Sequence, residues 1–171
     1  GMCSFISISK DMKSSNGLGM AVVVVLTITS AINWAIMEYV LIPYEILYLR
    51  FIVFIIVIAA VVQMLEMIID RVSQTLYLSL GIFLPLITVN CAILGVSLFL
   101  EIRRYSFWQA VIYGFGSGLG WWLAIMLLSA IRKKTEKAPV PAGLQGAGIT
   151  MITIGFMAMA FMGFSGMLQV Q

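Results

Sequence analysis

In the run from Leu80 to Gly95, LGIFLPLITVNCAILG, a thiol, an amide and two helix breakers share one apolar stretch. Gly81 and Pro85 precede Cys91, and in a helix interior Gly costs about 1 kcal/mol and Pro about 3. Asn90 sets an amide beside the Cys91 thiol, at a depth where an unpaired polar group is expensive. A broken helix inside a membrane is tolerated where protein buries it or where it lines a cavity. Such breaks mark the sites of ion-handling and electron-handling membrane proteins. The chain holds one further cysteine, Cys3 in GMCSF. Two thiolates make half of the set that an iron–sulfur cluster usually takes, so a cluster here needs two more from a second chain. The same thiols also suit packing as small apolar groups or a disulfide, for which a sequence holds no geometry.

A second set of polar residues is Gln63, Glu66 and Asp70, spaced to lie on one helical face near a span end. Their oxygens suit a hard cation such as Na⁺, which makes Glu66 and Gln63 a candidate cation handle. An interfacial carboxylate that snorkels, or that pairs with Arg71, fits the same positions. Glu38 sits close to a span end and reads as interfacial.

The elements around these residues are membrane helices. The chain of 171 residues is 62% hydrophobic and 10% charged, which no soluble domain of this size matches. Without histidine, and with two cysteines, one chain cannot build an all-protein tetrathiolate or His site. No Gly-rich nucleotide fingerprint follows a strand pattern, and the net charge of +3 reads as a topology signal rather than a nucleic-acid footprint. Apolar spans are expected at about 17–41, 47–69, 76–100, 107–131 and 144–168, each long enough to cross a ~30 Å core. Gly1 to Ser9 is apolar but short, and the polar stretch Lys10 to Asn16 follows it as a loop. The segment reads as the back half of a helix, with about ten to twenty residues of a sixth span missing. Lys10, Lys13, Arg71, Arg132, Lys133, Lys134 and Lys137 fall on one side, and Arg50, Arg103 and Arg104 on the other. The larger group assigns the loops at 10–16, 70–75 and 132–143 to the cytoplasm.

Gly17-Leu18-Gly19 and Gly118-Leu119-Gly120 hint at an internal repeat, with Cys3 before the first and Cys91 before the second. Three helices per half, an odd number, make the halves inverted, with repeat one at 1–72 and repeat two at 73–171. The fold expected is therefore all-α and polytopic, six transmembrane helices in two inverted repeats with broken helices. The glycines of GFGSGLG, 114–120, let helices approach closely, and Trp121 and Trp122 lie too deep for an interfacial belt, so they pack against another helix or another protein of an assembly.

At these residues the chain closely resembles a family of paired bacterial membrane proteins, those of the Na⁺-translocating NADH:quinone oxidoreductase and of the Rnf ferredoxin:NAD⁺ oxidoreductase. The stretches that carry it are GMCSFISISK, IAAVVQMLEMIIDR, LGIFLPLITVNCAILG, YGFGSGLGWWLAI and VPAGLQGAGITMITIGFMAMAFMGFSG. The valine of ITVNCA and the stretch VPAGLQGAGIT are more similar to the E-type branch of the first complex than to the A-type branch of Rnf. The resemblance implies a multi-pass protein of the bacterial inner membrane, in a six-subunit translocase that oxidises NADH, reduces ubiquinone and is not catalytic as a single chain. It implies, as partner, a homologous D-type subunit that supplies two further cysteines, and a [2Fe–2S] cluster held in the membrane between the two. By motif the ligands here are Cys3 and Cys91, with Asn90 in the cluster environment. Rivals are an Rnf-type electron-transport subunit and a secondary transporter or channel subunit, which inverted repeats and broken helices suit equally.

Overall fold

A computed structural model of the chain describes residues 2–72, 84–141 and 143–167. Short helix α1 (Met2–Ile8) turns into α2 (Met12–Ile36) around Asp11, whose carboxylate accepts from the Ser14 N–H (3.2 Å) and hydroxyl (2.9 Å). These bonds hold the Asp11 carboxyl below the usual carboxylate range, so the cap is intact at neutral pH and is lost only in acid, as pH falls through that lowered value. The Ser15 hydroxyl donates to the Ile8 carbonyl (3.0 Å), which ties the end of α1 to the first turn of α2. The stretch Lys10–Asn16, expected as a loop, is thus mostly helix, because Asp11 supplies a cap that its surroundings do not advertise.

Past α2 the chain makes a π-helical turn, Met37–Leu41, in which the Ile42 N–H donates to the Met37 carbonyl at 3.1 Å. Pro43, which has no N–H to continue the ladder, comes soon after it. A 3₁₀ turn, Leu47–Leu49, leads into α3 (Arg50–Val72). Residues 73–83 lie outside those described, and with them the start of the fourth expected span, part of the expected 70–75 loop, Gly81 and the expected boundary between repeats. A split helix comes next, α4 (Leu84–Thr88) and α5 (Cys91–Ile102), then α6 (Phe107–Thr135) and α7 (Ala147–Met167). Among the described residues there is no strand, and five stretches are long and apolar enough to span a membrane. Arg132, counted as a loop charge, lies inside α6, which runs one turn beyond the expected end and buries it.

The helices α2 and α6 make the tightest pair, and glycines set its closeness. Gly118 of α6 lies against the backbone of Val23, where an added Cβ would stand 2.9 Å from its Cα. Gly114 faces Ser30 and Leu26 in the same way, and Gly19 of α2 lies under the indole of Trp122. Partners rise in number along one helix as they fall along the other, so the pair is antiparallel. Trp122 donates to the Asn16 side-chain oxygen (3.0 Å), and Trp121 meets Phe5 edge-on at 5.4 Å between centroids. Both tryptophans therefore pack on other helices, as their depth implied. Leu18, Val22, Val25 and Leu26 of α2 join Ile58 and Val62 of α3, Ile93 of α5 and Ile125 of α6 in the core. The opposite stripe of α2, Met20, Val24, Ile28 and Ile32, is exposed and four-spaced, a face for lipid or a neighbouring protein.

Each end of the bundle is fastened by an arginine. At one end Arg50 pairs with Glu101, and the Trp34 indole donates to the Tyr105 carbonyl (2.7 Å). At the other, Arg132 donates to the Ile6 carbonyl (2.9 Å) and the Ser9 hydroxyl (2.7 Å). The division of basic residues into two groups in the sequence therefore matches two physical ends.

Candidate functional site

The break in the fourth span falls at Val89 and Asn90, immediately before Cys91. Asn90 has extended backbone geometry, and its side-chain oxygen accepts from the Ala92 N–H at 3.1 Å, capping α5. Cys91 is consequently the first residue of α5, where unpaired N–H groups and the helix dipole present partial positive charge. Such a position suits the negative sulfur of a metal-bound thiolate. Met2, in the first turn of α1, is near enough to Cys91 to act on its thiol. Cys91 thus lies beside the first turn of α1, the turn that carries Cys3. Both thiols are free and exposed on the described surface.

Asn90 also has a structural role that the sequence reading did not include. Its oxygen is committed to the helix cap, and its Nδ2 is buried without a partner among the described residues. Replacing the residue removes a cap worth ~1 kcal/mol. Asn90→Ala should lower the thermal midpoint modestly and, by fraying the start of α5, speed alkylation of the Cys91 thiol relative to the parent.

Two thiols are the whole metal-binding inventory here. Among the described residues no group of three or more His, Cys, Asp or Glu side chains comes together. The residues therefore fit half of a four-thiolate centre and not a complete one. Glu66 is half-buried and Gln63 and Asp70 are exposed, all on α3, and neither Arg71 nor any other cation pairs with the two carboxylates among the described residues. None of the three lines the two larger cavities of the bundle.

A further set of polar groups converges elsewhere, and the sequence reading passed over Asn33, Ser97 and Glu101 among them. A cavity of about 590 Å³ opens between α2, α5 and the start of α6, lined by Asn33, Trp34, Glu38, Ser97, Glu101 and Arg104 among others. Asn33 donates to the Ser97 hydroxyl (2.8 Å), which donates to the Ile93 carbonyl (3.1 Å). The Asn33 Oδ1 and Glu101 Oε2 atoms are buried with no partner among the described residues. Asn33 and Ser97 lie 64 residues apart, so no local pattern signals their meeting.

Known proteins share this architecture's sequence. A chain of Proteus mirabilis (strain HI4320), the E subunit of a Na(+)-translocating NADH-quinone reductase, is 52% identical over 172 residues, covering 97% of this chain and 87% of that one. The family described as "Rnf-Nqr subunit, membrane protein" matches residues 1–168. With a split helix that resumes on Cys91, an antiparallel glycine-packed pair and a match along nearly its whole length, the chain belongs to the Rnf-Nqr family of membrane subunits.

Proposed function

We propose that the chain is a membrane subunit of a Na⁺-translocating NADH–quinone reductase, an oxidoreductase complex in which it is not catalytic alone. Within it, Cys3 and Cys91 would contribute two ligands to an intramembrane iron–sulfur centre completed by a homologous partner of the D type. The observation that carries this reading is the pair of free, exposed thiols, one in the first turn of α1 and the other at the capped start of α5. Exposure argues against the packing role, since a cysteine acting as a small apolar group belongs in the interior. A [2Fe–2S] cluster, when bound, supplies one-electron storage at membrane depth. The chain's own residues set the surroundings: the α5 terminus stabilises negative sulfur, which raises a reduction potential. Asn90 fixes where α5 begins and so where Cys91 points. The ends carrying Lys10, Lys13 and Lys133 to Lys137 would face the cytoplasm of a bacterial inner membrane.

A second reading, a transporter or channel subunit, draws on the polar cavity at Asn33, Ser97 and Glu101. Complementation separates the readings. Membranes that lack the corresponding subunit should regain Na⁺-stimulated NADH-dependent quinone reduction when the full-length chain is supplied. Solute or ion flux without restored NADH oxidation would overturn the redox reading, and ferredoxin-dependent NAD⁺ reduction would move it to the Rnf branch.

A further inference from the structure

Arg132 is 9% exposed, yet no carboxylate pairs with it among the described residues. Both of its hydrogen bonds, to the Ile6 carbonyl and the Ser9 hydroxyl, use the same nitrogen, Nη1. A guanidinium has five N–H donors. Those on Nε and Nη2 have no partner among the described residues, and neither atom is among the buried unpartnered ones. Both atoms therefore keep some accessible surface, which the cavity beside them supplies. Arg132 lines a cavity of about 270 Å³ together with Thr135, Glu136, Gln145, Gly146 and Ile149. A buried charge without a counter-ion is costly, and the neutral oxygens of Ile6 and Ser9 offset only part of it.

The rest of the cavity is built for the same sign of charge. Gly146 and Ile149 belong to the start of α7, and the chain enters that helix through Gly146 at φ +88°, closed by an Ile149 N–H to Leu144 carbonyl bond of 2.9 Å. The first turn of this 21-residue helix borders the cavity through Ile149, so the positive end of its dipole lies beside it and favours an anion. Lys133, Lys134 and Lys137 extend the basic end of α6 beside it. Glu136 is the one carboxylate lining the cavity.

We propose that this cavity binds a phosphate oxyanion, and that its source is the headgroup of an anionic phospholipid in the leaflet at this end of the bundle. A guanidinium fork matches phosphate oxygens in pairs. The site lies where a span ends, at headgroup depth, and lysines around it attract an anionic leaflet. A bound headgroup would join α6 to α7, which few other contacts hold to the bundle, and through Ile6 and Ser9 to α1.

The test uses the full-length chain in its membrane complex, reconstituted in nanodiscs of phosphatidylcholine with or without phosphatidylglycerol. Native mass spectrometry reads retained lipid and a melting curve reads stabilisation. Phosphatidylglycerol should be retained and should raise the melting midpoint. Arg132→Gln should cut retention at least about tenfold, as loss of a charge-assisted pair does. Because Arg132 also clamps α1, Ile149→Glu serves as a second variant, bringing a carboxylate to the guanidinium while both Nη1 bonds stay; it should cut retention as far. Unchanged retention in Ile149→Glu, equal retention of phosphatidylcholine, or retention that appears only in Glu136→Gln would each overturn the proposal. Stabilisation reproduced by inorganic phosphate alone would assign the cavity to a soluble anion and overturn the lipid source.

Discussion

Gly118→Leu should unfold or disassemble the chain, whereas Gly116→Leu, two residues away on the same helix, should leave it folded. The difference is geometric. A Cβ at 118 would sit 2.9 Å from the Cα of Val23, a backbone atom that cannot swing aside, and a Cβ at 116 meets nothing within 4 Å. Overpacking an established contact costs about 1–3 kcal/mol, and a leucine exceeds the single methyl that already collides. Gly114→Leu should do as much harm, since its Cβ would run into Ser30. Removing a helix-interior glycine otherwise gains up to about 1 kcal/mol, so Gly116→Ala should be neutral or stabilising in the single chain. Thermal midpoints of the purified full-length chain check the series. If Gly118→Leu melted with the parent, the close approach of α2 and α6 would be wrong. Gly116 and Gly120 remain open on the outer face, and loss of complex assembly with an unchanged midpoint would mark them as contacts to a neighbouring protein.

The same glycines show what a sequence makes legible in this fold. Their spacing announced a close helix contact, and Trp121 and Trp122 announced burial, because membrane composition leaves few other uses for such residues at depth. Which helix they meet was not legible: Gly19 under Trp122 and Gly118 on Val23 join positions far apart in the chain. The break before Cys91 was anticipated from Gly81 and Pro85, but not the part that Asn90 plays in it. Pro85 is the second described residue of α4, and Gly81 lies outside the described residues. Immediately before Cys91, Asn90 takes the cap position of α5. Asp11 acts likewise, starting α2 where charged neighbours suggested a loop. In both cases one side-chain oxygen satisfies N–H groups that a helix start would otherwise leave bare. Arg132 escaped notice because a basic residue at a span end reads as a topology marker, and only the fold shows α1 and α7 closing over it.

Cys91→Ala and Cys3→Ala should each abolish the redox activity of the complex while leaving the chain as stable as the parent. The stability half follows from exposure: trimming an exposed side chain that makes no core contact and is not itself the capping group usually stays within about 0.5 kcal/mol. The activity half follows from ligand count. With two thiolates per chain and no third donor gathered near them among the described residues, losing either would leave the proposed shared centre one ligand short. Altering a group that merely supports a ligand costs about 10–100-fold in metal affinity, so losing the ligand itself should exceed about 100-fold. Iron content, the paramagnetic signal of the reduced cluster and NADH-dependent quinone reduction should fall together in both variants. Asn90→Ala should fall between these and the parent, since it moves the helix start and keeps the thiol. Either cysteine variant retaining iron and full turnover would return that thiol to a bystander role. The transporter reading would then lead, with Asn33, Ser97 and Glu101 as the residues to change next. Loss of thermal stability in step with loss of iron would instead mean that the centre holds the paired proteins together, a result the chain's own packing cannot produce because neither thiol belongs to its core.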